Sequence, residues 1–194
     1  MPIQDAMNVI RRLEMNLDDF LLDMAKIGDT EAVRYALHHG ADIHAYSDCA
    51  IICASGIGHT EMVKLLLDHG ANIHEYNDQA LRYASGNGHT ETVNVLLDHG
   101  ANIHAEDDWA LKWASSNGHI ETVKILLDHG AHLRAWNDEA ITWSSCNGDI
   151  RIVRLLLNNM TILKRLSYWV TGSWLILWIM MISNWLRKMA ILKR

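Results

Sequence analysis

Apolar residues in the central part of the chain recur in two alternating stretches. The first stretch has a face of small and aliphatic side chains at helical spacing, formed by Ala50, Ile51 and Ala54. The second is richer in large aliphatic residues, namely Val63, Leu65, Leu66 and Leu67. Gly58 lies between the two stretches, where it would end one helix and turn the chain. The pattern therefore predicts two short helices separated by a glycine turn.

Polar residues indicate where these helices begin and end. The first helix is predicted to begin near Asp48, because an Asp side chain can cap free amide N–H groups and suits the positive end of the helix. The equivalent acids are Asp78, Asp108 and Asp138. In the second helix, Glu61 in the first turn and His69 in the last both match the helix dipole. Gly70 can adopt the left-handed conformation that ends a helix.

The two-helix pattern repeats every 30 residues. The sequence His-Gly-Ala-Asn-Ile-His at 69–74 recurs unchanged at 99–104, with relatives at 39–44 and 129–134. A second block, Gly-His-Thr-Glu at 58–61, recurs in the same register at 88–91, 118–121 and, more weakly, 28–31 and 148–151. A repeat of this length is typical of solenoids, in which each unit is one supersecondary structure.

One helix pair cannot bury its apolar faces alone, so neighbouring units must stack. The sequence predicts an all-α solenoid of about five helix-turn-helix units, followed by a hydrophobic C-terminal helix. The predicted units are 15–44, 45–74, 75–104, 105–134 and 135–159. Residues 1–14 are expected to form an N-terminal cap, since end repeats need a polar outer face. Residues 160–194 form a hydrophobic, basic tail.

The pattern resembles the ankyrin repeat, most clearly in the segments Gly-His-Thr-Glu-Thr-Val at 88–93 and Leu-Leu-Asp-His-Gly-Ala-Asn at 96–102. The resemblance covers residues 15–159. It departs from the family in length, with 30 residues against ~33, and in the family's Thr-Pro-Leu-His signature, which is replaced by Asp-x-Ala-Ile/Leu at 48–51 and 108–111. The residues missing relative to the family fall in the hairpin between units. This shortened form resembles repeats abundant in giant DNA viruses of amoebae. The resemblance implies a scaffold for protein–protein interaction whose partner the sequence does not identify.

The charge distribution narrows the class of partner. The net charge is −6, and all 23 acidic residues precede position 160, whereas six of the 17 basic residues follow it. An acidic body repels phosphate backbones, which argues against nucleic acid as a partner.

The three cysteines, Cys49, Cys53 and Cys146, are too few and oddly numbered for a disulfide framework, which favours a reducing compartment. The N-terminus lacks the apolar run of a signal peptide. We therefore expect a cytoplasmic protein, in the host cytoplasm if it is viral.

Candidate catalytic and metal-binding residues have simpler structural interpretations. Most of the 12 histidines occupy repeat positions, where copies one unit apart are expected to lie in separate layers, and no Cys/His cluster has zinc-ligand spacing. Cys49 and Cys53 lack an identifiable base. The acidic residues fall at capping and first-turn positions. We therefore predict no enzyme activity, no catalytic residues, no cofactor and no metal.

The positions that vary between repeats are the most informative about function. One first-helix position holds Cys53, Tyr83, Trp113 and Trp143, and the hairpin region is expected to carry Tyr46, Tyr76, Trp109 and Trp136. Aromatic residues and Arg are enriched at protein-binding hot spots. In the ankyrin family, first helices and hairpins line the concave binding face. The candidate partner-binding residues are Tyr46, Tyr76, Arg82, Tyr83, Trp109, Lys112, Trp113, Trp136 and Trp143. The alternative is that Tyr83, Trp113 and Trp143 stack between repeats as core.

The tail allows three interpretations. Leu166–Leu186 has no charged residue over 21 positions, with basic pairs on both sides, and is long enough to span a bilayer. The chain would then be a membrane-tethered adaptor. Alternatively, the tail is a frameshifted repeat, because a one-nucleotide shift makes Met189-Ala190 encode Gly and restores a Gly-His-Ile-Glu-like block. The chain would then be a truncated remnant of a longer ankyrin array. A hydrophobic cap on the last repeat is the third interpretation.

Overall fold

The computed structural model describes residues 16–132 and 139–159, and this part of the chain is α-helical without strands. Ten helices follow one another there: α1 Leu17–Ile27, α2 Thr30–His38, α3 Ala45–Ile57, α4 Thr60–Asp68, α5 Glu75–Gly86, α6 Thr90–Asp98, α7 Ala105–Ser116, α8 Ile120–Asp128, α9 Glu139–Asn147 and α10 Ile150–Asn159. No helix among these is long and apolar enough to cross a bilayer. The predicted N-terminal cap, the hydrophobic tail and Trp136 lie outside the described residues.

The helices form five antiparallel pairs, which confirms the predicted helix-turn-helix units. Gly58 adopts a φ of +88° after α3, and Gly70 a φ of +91° just after α4. Both are left-handed conformations that glycine adopts without the steric cost of a Cβ atom. The chain thus reverses at a glycine within each pair and again between pairs.

The pairs stack into two layers. First helices α1, α3, α5, α7 and α9 pack in series, and second helices α2, α4, α6, α8 and α10 pack beside them. The predicted small face of Ala50, Ile51 and Ala54 is buried between first helices. Of the predicted aliphatic stripe, Val63, Leu65 and Leu66 are buried, whereas Leu67 is only half-buried. Equivalent residues in each unit join into one continuous core.

The entry to each of three first helices is a left-handed turn. Three successive non-glycine residues have positive φ at Tyr46–Asp48, Tyr76–Asp78 and Glu106–Asp108. Left-handed conformations cost roughly 1–2 kcal/mol per residue, so other interactions must hold this turn in place.

The expectation that Asp48 caps its own helix is wrong. Its buried carboxylate instead accepts a hydrogen bond at 2.7 Å from the backbone N–H of Asn72, in the segment that leads from α4 into the next helix pair. The Nδ1 atom of His44, which precedes the turn, lies 3.1 Å from the same carboxylate oxygen. The left-handed turn points the side chain at the segment that leads into the next pair, so the acid links successive inter-pair segments rather than capping its own helix.

A second set of hydrogen bonds joins the first helices to the following turn. The Nε2 atom of His89 donates to the carbonyl oxygen of Gly56 at 3.1 Å, and the side-chain amide of Asn87 donates to the same oxygen at 2.6 Å. His119 and Asn117 bind the carbonyl oxygen of Gly86 in the same way. These contacts satisfy carbonyl groups that the end of a helix leaves unpaired. The repeated histidines of this position are therefore structural.

Candidate functional site

Four aromatic side chains from three successive first helices meet on one face of the solenoid. Tyr83 comes from α5, Trp109 and Trp113 from α7, and Trp143 from α9. The ring centroids are 5.7 Å apart for Tyr83 and Trp113, 6.4 Å for Trp113 and Trp109, and 6.0 Å for Trp109 and Trp143. All three pairs are edge-to-face, an arrangement that aromatic rings favour. We call these four residues the aromatic cluster.

The cluster lies on glycines of the preceding unit. An added Cβ atom at Gly86 would lie 2.8 Å from Cδ2 of Trp113, and one at Gly56 would lie 3.5 Å from the Tyr83 ring. The indole can approach α5 this closely only because residue 86 has no side chain. Packing on the previous unit therefore fixes the position of Trp113.

The rings of the cluster are neither fully buried nor fully exposed. Tyr83 is 36% exposed, and Trp109, Trp113 and Trp143 are half-buried. One edge of each ring contributes to stacking between units, and the remaining surface faces solvent. Rings held in this way lose little conformational freedom when a ligand covers them.

Two basic side chains lie beside the cluster. The Nζ atom of Lys112 is 3.0 Å from a carboxylate oxygen of Glu139 and 5.9 Å from the ring centroid of Trp109. The guanidinium group of Arg82 donates to the backbone oxygens of Tyr76 at 2.7 Å and Asn77 at 3.2 Å. Both cations are thus engaged within the protein, and Arg82 holds the left-handed turn that precedes its own helix.

The aromatic residues expected in the hairpins occupy two different places. Tyr46 and Tyr76 do lie in the left-handed turns and are 54% and 57% exposed. The placement of Trp109 in the hairpin is wrong, because the left-handed turn ends at Asp108 and Trp109 already belongs to the helical part of α7. Trp136 lies outside the described residues. The Tyr46 hydroxyl donates to Asp19 at 2.5 Å, and this bond raises the pKa of Tyr46.

Cys53 occupies the same repeat position as Tyr83 and Trp113. Its Sγ atom lies 3.5 Å from that of Cys49, one helical turn earlier, and both residues are half-buried. Burial, followed by the hydrogen bond with Cys49, raises the pKa of the Cys53 thiol to about 11. A thiol with such a pKa is a poor nucleophile at neutral pH, because the thiolate is the reactive form.

The sequence analysis missed a cluster formed by His104, Asp108 and His132. The two imidazole rings are stacked, with centroids 4.5 Å apart and planes 12° from parallel. Asp108 lies 2.8 Å from Nδ1 of His104 and accepts the backbone N–H of His132 at 3.1 Å. Histidines of neighbouring units were expected in separate layers, but His132 is not an in-register copy of His104. The available signal was that His132 stands where the preceding repeats have Asn72 and Asn102.

Comparison with known proteins gives one family. The family model described as "Ankyrin repeats (3 copies)" matches residues 21–107 and 108–165. A search of curated proteins found no match. The two matched segments together cover most of the chain, from the middle of α1 to beyond the end of α10.

Proposed function

The chain belongs to the ankyrin-repeat family, and from that premise we propose that it is a protein-interaction module that binds its partner on the aromatic cluster. Ankyrin repeats are non-catalytic scaffolds that present an extended face to other proteins. The observation that carries the proposal is the continuity of Tyr83, Trp113, Trp109 and Trp143 across three units. Three cysteines without a disulfide framework support a cytoplasmic setting.

The cluster has the physical properties of a binding hot spot. Trp and Tyr supply large contact areas and dominate the energetics of many interfaces. The rings of this cluster are already positioned by packing on Gly56 and Gly86, so binding requires little further ordering. A partner that covers the exposed ring surfaces would remove apolar area from water without displacing the core.

Electrostatics favours a partner segment with apolar anchors and basic residues. All the acidic residues of the chain precede position 160, and Glu106 and Asp107 are exposed on the left-handed turn that leads into α7. Arg or Lys of a partner can also contact the faces of Trp rings. A nucleic acid could stack on the same rings, but the acidic surface would repel its phosphates.

The proposal is tested by selecting ligands from a displayed peptide library on the full-length chain and measuring their affinity for variants. Tyr83→Ala and Trp109→Ala remove rings from the cluster, whereas Tyr35→Ala removes a half-buried ring from α2, in the other helix layer. We expect the cluster variants to bind about 30-fold more weakly, which corresponds to ~2 kcal/mol for a hot-spot residue. Tyr35→Ala should bind like the original chain.

Hydrogen exchange in the presence of a selected ligand provides the complementary measurement. Protection should increase in α5, α7 and α9, which carry the cluster. Equal losses of affinity for all three variants, or protection confined to second helices, would contradict the proposal. Thermal unfolding of each variant controls for loss of folding.

A second candidate function is that of a membrane-tethered adaptor, and a separate sequence feature favours it. Leu166–Leu186 lacks charge and is flanked by Lys164-Arg165 and Arg187-Lys188. A charge at the centre of a spanning helix disfavours insertion by roughly 3 kcal/mol. If the segment anchors the chain, the full-length protein will sediment with membranes and Leu177→Arg combined with Ile179→Arg will release it. If the original chain stays in the supernatant, this second candidate is excluded.

A further inference from the structure

We propose that His104, Asp108 and His132 form a binding site for a divalent transition-metal ion such as Zn²⁺. One potential ligand atom from each residue lies within 4.8 Å of the other two. Among the described residues this is the only group of three metal-ligating side chains so arranged. The inference goes beyond the proposed interaction function and does not depend on it.

Two of the three ligands are present in every unit with a left-handed turn. His44 and Asp48, His74 and Asp78, and His104 and Asp108 form the same i, i+4 pair, with Nδ1 to Oδ1 distances of 3.1, 3.0 and 2.8 Å. This pair is a structural feature of the repeat and is not by itself a metal site. It does, however, hold an imidazole and a carboxylate at one point on the surface between units.

The third ligand comes from a single departure from the repeat. Asn72 and Asn102 occupy the position of His132 in the preceding units, and each accepts the backbone N–H of the residue two positions later at 3.0 Å. His132 places a second imidazole on His104 instead, with the rings stacked. Among the residues that the structure describes, two imidazoles and one carboxylate come together only where α7 meets the segment after α8. Because a metal–nitrogen bond lies in the plane of the imidazole ring, one of the two stacked rings rotates when both bind the same ion.

The donor set selects the class of metal. Imidazole nitrogen suits Zn²⁺ and its neighbours in the first transition series, whereas Ca²⁺ and Mg²⁺ prefer oxygen ligands. Three protein ligands with a fourth position left to solvent is a common arrangement for bound Zn²⁺. The cation would take the place of the proton between His104 and Asp108, whose Nδ1 and Oδ1 atoms are 2.8 Å apart.

Burial and exposure within the cluster also suit a cation. Asp108 is only 3% exposed, so its carboxylate has lost most of its hydration and gains from a positive charge nearby. Both histidines are exposed, which leaves a path for the ion from solvent. A bound ion would link α7 directly to residue 132, which precedes the next helix pair in sequence, and would stabilise that junction.

The repeat itself provides matched variants for the test. His132→Asn restores the residue found at positions 72 and 102, and Asn102→His places the third ligand beside His74 and Asp78. We expect equilibrium dialysis of the full-length chain against Zn²⁺ to show one ion fewer for His132→Asn and one ion more for Asn102→His. Differences between variants are used because the chain has 12 histidines, which contribute a common background.

Two further measurements distinguish a specific Zn²⁺ site from weak binding of Zn²⁺ to surface histidines. Zn²⁺ at 100 times its dissociation constant should shift the folding equilibrium of the original chain by about 100-fold, and this gain should vanish in His132→Asn. Without metal the two chains should have the same helicity and nearly the same melting temperature. The proposal would be overturned if His132→Asn bound as much zinc as the original chain, or if Ca²⁺ stabilised the chain as much as Zn²⁺. It would also be overturned if a folded Asn102→His chain bound no additional zinc.

Discussion

The Oδ1 atom of Asp78 lies 2.7 Å from the backbone nitrogen of Asn102, in the segment that joins α6 to α7. The same bond connects Asp18 to Asp42, Asp48 to Asn72 and Asp108 to His132. At Asp48, Asp78 and Asp108 the carboxylate is almost completely buried. Successive segments between helix pairs are therefore linked by a charge-assisted hydrogen bond as well as by apolar packing.

We expect Asp78→Ala to destabilise the chain by about 2–4 kcal/mol, because it leaves the backbone N–H of Asn102 and the imidazole of His74 without their shared partner. Asn77→Ala is the matched control, since residue 77 has nearly the same left-handed φ and its side-chain hydrogen bond is exposed. Asn77→Ala should lower the free energy of unfolding by about 1 kcal/mol. Urea unfolding of both variants checks the prediction, and equal destabilisation would show that backbone strain alone determines the effect.

Gly88→Ala should destabilise the chain more than Gly100→Ala, although both glycines have positive φ. A Cβ atom at Gly88 would lie 2.5 Å from Nδ1 of His119, whereas nothing lies within 4 Å of one at Gly100. Backbone strain of roughly 1–2 kcal/mol applies to both, and overpacking adds about 1–3 kcal/mol at position 88 alone. Thermal unfolding of the two variants, compared directly, measures the difference, and similar melting temperatures would count against the close contact.

The effect of Gly86→Ala on stability should reverse its sign according to the residue at position 113. In the original chain the new Cβ atom would collide with Trp113, so we expect a loss of stability. In a Trp113→Ala background the collision disappears and the higher helix propensity of Ala, worth up to ~1 kcal/mol, becomes the main effect. Trp113→Ala alone should lower stability by ~3 kcal/mol, because it leaves a gap over α5. A double-mutant cycle measures the coupling, and additive effects would show that the two residues do not touch.

Alkylation at pH 8 should modify Cys146 well before Cys53. Cys146 is exposed, whereas Cys53 is half-buried and its pKa is raised to about 11 by burial and by the hydrogen bond with Cys49. Only about a thousandth of such a thiol is ionised at pH 8, and the thiolate is the form that reacts. Mass spectrometry of iodoacetamide-treated protein gives the rates at each site. In denaturant the three rates should converge, and equal rates in the folded chain would contradict the raised pKa.

The order and pairing of helices could be predicted from the sequence because each unit repeats a local pattern. Gly58, Gly70 and the Val63–Leu66 stripe carry the information for turns and buried faces within one unit. The target of Asp48 could not be predicted in this way. An acid that caps its own helix and an acid that binds the following inter-pair segment have the same spacing in sequence, and only the left-handed turn distinguishes them.

Three of the four residues of the aromatic cluster could be grouped from the sequence, but Trp109 and the geometry could not. Aligning the repeats brings Tyr83, Trp113 and Trp143 to one position, which shows that they share a helix face. The contact between Trp113 and Gly86 depends on the distance between neighbouring first helices, which no single unit specifies. His132 was missed because the histidines were interpreted from the positions at which they repeat. His132 stands at a position where the other units have Asn or Asp.

The hydrogen bond from each left-handed turn to the following inter-pair segment determines how such a chain can change length. Donor and acceptor positions are the same at successive junctions, from Asp48 with Asn72 to Asp78 with Asn102. Duplicating or deleting one 30-residue segment in this central stretch would therefore leave each acid with an amide to bind. Such an array can grow or shrink in whole steps by recombination between its own copies, and each added copy offers a new first-helix position for selection to vary.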